Sequence, residues 1–339
     1  MSSRRSWWRS GRLIVTVVCI DLLGAGSLAY ALTGPSDHRA VIEAPVARAA
    51  VHSSVPSPSM SRAPALSARA KTGAAAAAPL DANAQASFAK LRARLAPDAR
   101  IAIAIQPLGS GPTQILGGDP AMRAMSTSKV LILSALLLDR GGVKHFTAEQ
   151  KSLARTAITE SDNDSILSLF SDLEADRGGL LGASAYATGL LRKAGDDHTR
   201  VSTAPPPPGY VTTFGQTPWT PSAEVTFFRA LARDCILPRA DADYELGLMR
   251  EIEPSESWGL GSAGFGQVAF KGGWGPEPND RYGVRQTGII GSGNSAVVVS
   301  IVADPATSFA IGQSVLDQIA QWLRREVRPV PRPRAPCAT

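Results

Sequence analysis

Hydrophobic and polar positions change rhythm several times along this chain. From Asn83 to Leu95 apolar residues recur at helical spacing (Phe88, Leu91, Leu95). The run stops before Pro97, which predicts a helix. Ile101 to Ile105 alternates Ile with Ala, and Thr113 to Leu116 follows the turn Gly109-Ser110-Gly111-Pro112; both read as strands. Ser128 to Leu138 is almost continuously apolar and ends at Gly141-Gly142, the pattern of a buried helix. Thr147-Ala148-Glu149-Gln150 has the form of a capping box and opens a helix over Thr147 to Thr156. Further helices are predicted over Ala183 to Lys193, Ser222 to Arg233 and Asp241 to Glu251. The rhythm then changes. Gln267 to Phe270, Gly283 to Ile290 and Ala296 to Ala303 read as strands, and Ile311 to Glu326 closes as an amphipathic helix.

Two strands therefore precede a run of helices and three follow it. The expected fold class is α/β: one antiparallel five-stranded sheet, flanked on one face by the terminal helices, plus a helical subdomain. That discontinuous domain spans residues 82 to 326.

The flanks have a different character. Four arginines precede an apolar stretch from Leu13 to Leu32 that is broken by Asp21, and Ala29-Tyr30-Ala31 fits a small-x-small cleavage site. Residues 1 to 31 thus read as a signal peptide or a membrane anchor. Asp21 would cost about 2.5–3.5 kcal/mol inside a spanning helix, which favours the cleaved signal. Ser3-Arg4-Arg5-Ser6-Trp7-Trp8-Arg9 is similar to a twin-arginine signal. Either route makes the protein extracytoplasmic. Residues 32 to 81 are rich in Ala, Pro and Ser and bury too little apolar surface to offset their ordering entropy, so a disordered linker is expected. Residues 327 to 339 form an Arg/Pro-rich tail. One role for it is attraction to acidic wall polymers or lipid head groups; a solvated end is the plainer expectation.

The net charge of +6 sits in these flanks, and the span between them is near neutral. No basic stripe with interleaved aromatics appears in that span, so nucleic acid is not an expected partner. Cys19, Cys235 and Cys337 lack metal-type spacing, and the four histidines are scattered, so neither a metal nor another cofactor is expected. Export would leave Cys235 and Cys337 in an oxidising compartment, where they are candidates to pair. A monomer acting on a small substrate is the expected working form.

Three short motifs carry candidate chemistry. Ser126-Thr127-Ser128-Lys129 opens the buried apolar helix. Positions i and i+3 share a helix face, so Lys129 would lie one turn from Ser126. A lysine in a dry cleft has a depressed pKa and serves as a base. Alone, the motif is equally an N-capping serine beside a solvated lysine. Ser161-Asp162-Asn163 follows 35 residues later between two helices, where it is either a proton shuttle and amide holder or an ordinary helix cap. Lys271-Gly272-Gly273 follows 110 residues after Ser161 and ends the strand Val268-Ala269-Phe270. Lys71-Thr72-Gly73 lies in the linker, ahead of the other motifs, and is set aside.

In this order the motifs resemble the S-x-x-K, S-D-N and K-T-G set of the class A β-lactamase and penicillin-binding superfamily. Ala157 to Asp164 is similar to that family's S-D-N loop, Ala194 to Arg200 to the start of its Ω-loop, and Thr217-Pro218-Trp219-Thr220-Pro221 to the helix start that follows. The resemblance implies catalytic roles for Ser126 as acylated nucleophile, Lys129 as base and Ser161 as proton relay. It implies substrate-binding roles for Asn163, Lys271, Gly273 and Trp274. The backbone N–H groups of Ser126 and Trp274 would form the oxyanion hole. The implied activity is that of a serine hydrolase acting on a β-lactam or a peptidoglycan-peptide amide. The alternatives are a penicillin-binding D,D-peptidase-like protein with slow deacylation and a non-catalytic cell-wall binding module.

The chain departs from the family in three places. Gly272 replaces the K-T-G hydroxyl. The position of the deacylating glutamate falls at about Pro205, within Ala204-Pro205-Pro206-Pro207-Pro208. The stretch between the first two motifs is short, which would leave the cleft more open.

Overall fold

The computed structural model describes residues 78–328, 330–334 and 336–337. The expected signal segment and nearly all of the expected linker lie outside the described residues. Helix α1 (Ala82–Leu95) is capped by Asp81, whose carboxylate accepts from the Ala84 N–H at 2.8 Å. It leads into β1 (Ala99–Pro107) and β2 (Gln114–Leu116). A two-residue strand, β3 (Met122–Arg123), and a 3₁₀ turn (Met125–Thr127) then feed helix α2 (Ser128–Asp139). Helices α3 (Ala148–Thr159), α4 (Asn163–Arg177) and α5 (Leu180–Ala194) follow. The short strand β4 (Pro218–Trp219) precedes α6 (Pro221–Ala232) and α7 (Arg239–Arg250). Strands β5 (Val268–Glu277), β6 (Arg281–Ile290) and β7 (Val297–Ala306) return to the sheet, and α8 (Phe309–Glu326) ends it.

Four long strands and the three-residue β2 form one antiparallel sheet in the order β2-β1-β7-β6-β5. Side chains alternate across it. Ile101, Ile103, Ile105, Val299, Ile301 and Ala303 face a core shared with α1 and α8, where the rings of Phe88 and Trp322 lie 5.3 Å apart. The opposite face meets the helical subdomain, built around α2, whose residues from Ser128 to Leu137 are all buried. No described helix is long and apolar enough to cross a membrane.

Several elements differ from the sequence expectation. The Thr147 capping box is present in full, but α3 runs on to Thr159, directly up to the Ser161 motif. Lys271 does not end its strand. β5 continues through two glycines and Trp274 to Glu277, fully paired with β6. The α2 helix begins at Ser128, so Ser126 stands in the 3₁₀ turn before it. β3 and β4, which pair Met122 with Trp219, have no signature in the sequence pattern.

The tail is also not a solvated end. The Arg332 N–H donates to Asn294 O at 3.1 Å, the Ser110 N–H donates to Pro333 O at 2.8 Å, and Arg332 is buried. A disulfide joins Cys235 to Cys337 with Cα atoms 5.5 Å apart. Proline and arginine compositions mark chains without a core of their own; here an existing core supplies the docking surface.

Candidate active site

The turn that carries Ser126 is held from below. Thr127 Oγ1 donates to Glu224 Oε1 at 2.5 Å, and Glu224 lies fully buried on α6. Thr287 and Ser300, partners across β6 and β7, also donate to that carboxylate, Ser300 at 2.8 Å. Met125, just before Ser126, has φ 52°, and Ser161 has φ 61°. Both are left-handed conformations that cost a non-glycine residue on the order of 1–3 kcal/mol, a strain that concentrates at functional sites.

The three motifs come together around one cleft of about 170 Å³, lined among others by Ser126, Ser161, Asn163, Tyr210, Glu256 and Trp274. Ser126 is half-buried at its floor. Lys129 is 1% exposed and donates to the carbonyl of Ser161 and, at 3.5 Å, to its hydroxyl. Lys271 donates to the same hydroxyl at 2.8 Å and to Gly272 O at 3.0 Å. Among the described residues no hydrogen bond joins Lys129 to Ser126 in this arrangement; Ser161 takes the lysine instead. Burial lowers the Lys129 ammonium to about 6, and the charge of Lys271 adds to the shift. Burial likewise lowers Lys271 to about 8, while Glu256 works in the opposite direction.

Asn163 is the exposed first residue of α4, and Asp162 is the N-cap, accepting from the Ser165 N–H at 2.7 Å. The cap reading and the site reading therefore describe different side chains of one motif. Gly273 has no room for a side chain: an added Cβ would lie 2.8 Å from Ser126 N and 3.0 Å from Met125 Cβ. Edge strand β5 thus runs against the Ser126 turn. Trp274 is 43% exposed and stacks on Phe309 with ring centroids 4.3 Å apart.

The architecture can now be compared with solved structures. A class A β-lactamase from Mycobacterium abscessus matches with a TM-score of 0.56 at 18% identity, over 71% of this chain and 98% of its own. An ancestral (GNCA) class A β-lactamase matches with a TM-score of 0.55 at 20% identity, over 71% of this chain and 99% of its own. The chromosome-encoded β-lactamase of Vibrio parahaemolyticus matches with a TM-score of 0.54 at 18% identity, over 71% and 98%. The chain has the class A β-lactamase fold. No protein-family model matches it, and no curated protein matches its sequence.

Within this β-lactamase fold, two features went unread in the sequence. Glu256, in a 3₁₀ turn (Pro254–Glu256), brings a carboxylate to the cleft wall near both lysines. Only the chain return from α7 places it there, and its backbone is tied to the end of α3 through Glu253 N–H to Thr159 O at 3.0 Å. Arg285 is fully buried on β6 and donates to the carbonyls of Met122, Arg123 and Trp219, which fixes the β3–β4 pair ahead of Ser126. An arginine inside an apolar strand pattern reads as a solvent-facing position, so its burial has no local signal. The stretch from α2 to Ser161 holds one full helix, α3, and a short 3₁₀ turn over Val143–His145.

Proposed function

We propose that the chain is an exported serine hydrolase that acts through an acyl-enzyme on Ser126, on a β-lactam or a cell-wall peptide amide. The observation that carries this reading is one hydroxyl, Ser161 Oγ, shared by two buried lysine amines at 3.5 and 2.8 Å beside a half-buried serine. Lys129, neutral above pH 6, takes the Ser126 proton as Oγ attacks the carbonyl carbon. The oxyanion sits between the Ser126 N–H and the β5 backbone at Trp274. Ser161 gives its proton to the leaving nitrogen and is resupplied by the lysine ammonium beside it. Water then attacks the acyl carbonyl and returns the proton to Ser126. Lys271, as ammonium, orients Ser161 through its hydrogen bond at 2.8 Å; Asn163 binds the substrate amide. Export rests on the Arg-rich start, the interrupted apolar run and Ala29-Tyr30-Ala31. N-terminal sequencing of secreted protein is expected to begin near Leu32.

A second reading, slow deacylation of the penicillin-binding type, is favoured by the loop over residues 203–209. It offers four prolines and no carboxylate to activate water. Intact-protein mass spectrometry over time with benzylpenicillin and with a fluorophosphonate separates the outcomes. A transient adduct supports hydrolysis, a lasting one supports slow deacylation, and absence of any Ser126 adduct overturns both. Labelling that persists in Ser126→Ala overturns the nucleophile assignment.

A further inference from the structure

We propose that the cleft selects acyl donors carrying an ammonium-type cation over carboxylated ones, with Glu256 setting that preference. The inference rests on the acyl-enzyme reading and narrows its substrate class. The charged side chains lining the cleft, among the described residues, are Glu160 and Glu256, both carboxylates. Neither forms a close ion pair among the described residues, and Glu256 feels Lys129 and Lys271 only at longer range. The nearby cations are already engaged. Lys129 and Lys271 are buried behind the wall and donate to Ser161 and Gly272. Arg123 lies over the Tyr210 ring, 5.1 Å from its centroid, and is paired with Glu277 at 2.6 Å.

A carboxylated ligand would thus approach an acidic wall whose nearby cations are already taken up by Ser161, Gly272 and Glu277. Position 272 adds no hydroxyl donor, and a Cβ there would face Trp258 at 3.1 Å rather than the cleft. The rest of the wall suits a cation with an apolar coat. Tyr210 and Trp274 present ring surface, and Val211 is 55% exposed beside them. Aromatic faces attract ammonium groups through their quadrupole, and a partly desolvated carboxylate adds a direct charge term. Glu256 is held for this task by its turn, with its own N–H on Glu253 O at 2.9 Å. An amino-bearing wall peptide meets this description better than a carboxylated β-lactam does.

The test uses three matched thioester donors that end in trimethylammonium, tert-butyl or carboxylate, with the rate of Ser126 adduct formation read by mass spectrometry. The ammonium donor is expected to exceed its neutral isostere by on the order of tenfold in kcat/KM, with the carboxylate slowest. In Glu256→Gln the ammonium-to-neutral ratio falls towards one, and in the unaltered protein it shrinks as salt is added. A carboxylate donor that reacts as fast as the ammonium one, or a ratio unchanged in Glu256→Gln, overturns the proposal. Binding to the Ser126→Ala protein, followed by tryptophan fluorescence, separates recognition from chemistry. Choline binding more tightly than 3,3-dimethylbutanol supports the cation preference even where no donor acylates Ser126, in which case only the acyl-enzyme reading fails. Equal or tighter binding of the alcohol overturns the preference.

Discussion

Glu224 and Arg285 meet at 2.5 Å with both side chains shut off from solvent. The pair lies under the Ser126 turn, and each partner has further bonds: Glu224 to Thr127, Thr287 and Ser300, Arg285 to three carbonyls of the β3–β4 region. A rung of the sheet runs Lys271, Thr287, Ser300, Ala104, and the next but one, on the same face, runs Gly273, Arg285, Val302, Ala102. Two rungs of one face thus carry both the lysine that reaches Ser161 and the groups that hold Thr127. Removing one partner of such a pair strands the other charge, at about 3–5 kcal/mol. Glu224→Ala is therefore expected to lower the urea midpoint strongly and to slow acylation by loosening Thr127. Unchanged midpoint and rate would remove Glu224 from the support of the site.

On the proposed mechanism the two lysines are expected to make the acylation rate bell-shaped in pH. Lys129 must be neutral to accept the Ser126 proton, so the rate rises through about pH 6. Lys271 must keep its ammonium, so the rate falls above about pH 8. A single sigmoid without the upper limb would show that Lys271 charge plays no part. Lys129→Ala should lose on the order of 10²–10⁴ in rate, the usual cost of a missing general base.

The same Lys129 shift has a stability consequence of opposite sense to its catalytic value. The folded state holds Lys129 at about 6 against an ordinary lysine value of 10.5, so between those pH values the unfolded chain binds more protons. Stability contributed by this site therefore rises with pH across that window. Lys129→Met is expected to be more stable than the unaltered protein near pH 6, and its advantage should narrow towards pH 10. Urea unfolding at several pH values reads this directly; a constant difference would contradict it.

The Cys235–Cys337 link closes a loop of 102 residues in sequence separation and holds a tail that also bonds through Arg332, Pro333 and Arg334. Loop-closure entropy gives a link of this size about 4.7 kcal/mol in the ideal case, with measured values commonly 2–4. Reduction, or Cys337→Ser, should lower the unfolding midpoint accordingly. Two free thiols in the denatured mature protein would show that the link is not made.

Much of this fold was legible because it is written in local rhythm. The apolar run after Ser128, the capping box at Thr147 and the alternation of Ile101 to Ile105 each declare an element from neighbours alone. The order of the three motifs foreshadowed the cleft that gathers Ser126, Ser161 and Lys271. What escaped depends on distant partners. β3 and β4 are two residues each and exist only as a pair. Glu224, Arg285 and Glu256 read as ordinary charges until the chain brings their partners near. Lys271-Gly272-Gly273 looked like a strand end because glycines usually weaken strands, whereas here the missing side chain lets β5 approach the nucleophile.

That approach yields the sharpest test of the oxyanion assignment. A Cβ at Gly273 would stand 2.8 Å from Ser126 N, closer than real Cβ contacts allow, and 3.2 Å from Ala124 O. Gly273→Ala must push β5 away from the nucleophile turn and spoil the N–H pair that would receive the oxyanion. Loss of one such donor typically costs about 10²–10³ in kcat. Gly272→Ala is the matched control, because its Cβ would meet Trp258 at 3.1 Å on the opposite side of the strand. Both substitutions add one methyl group to the same strand, so general damage to β5 would slow acylation alike in the two proteins. The expected result is a large loss for Gly273→Ala and a small one for Gly272→Ala, measured as the rate of Ser126 adduct formation. Equal losses would mean that the close approach serves packing rather than the oxyanion.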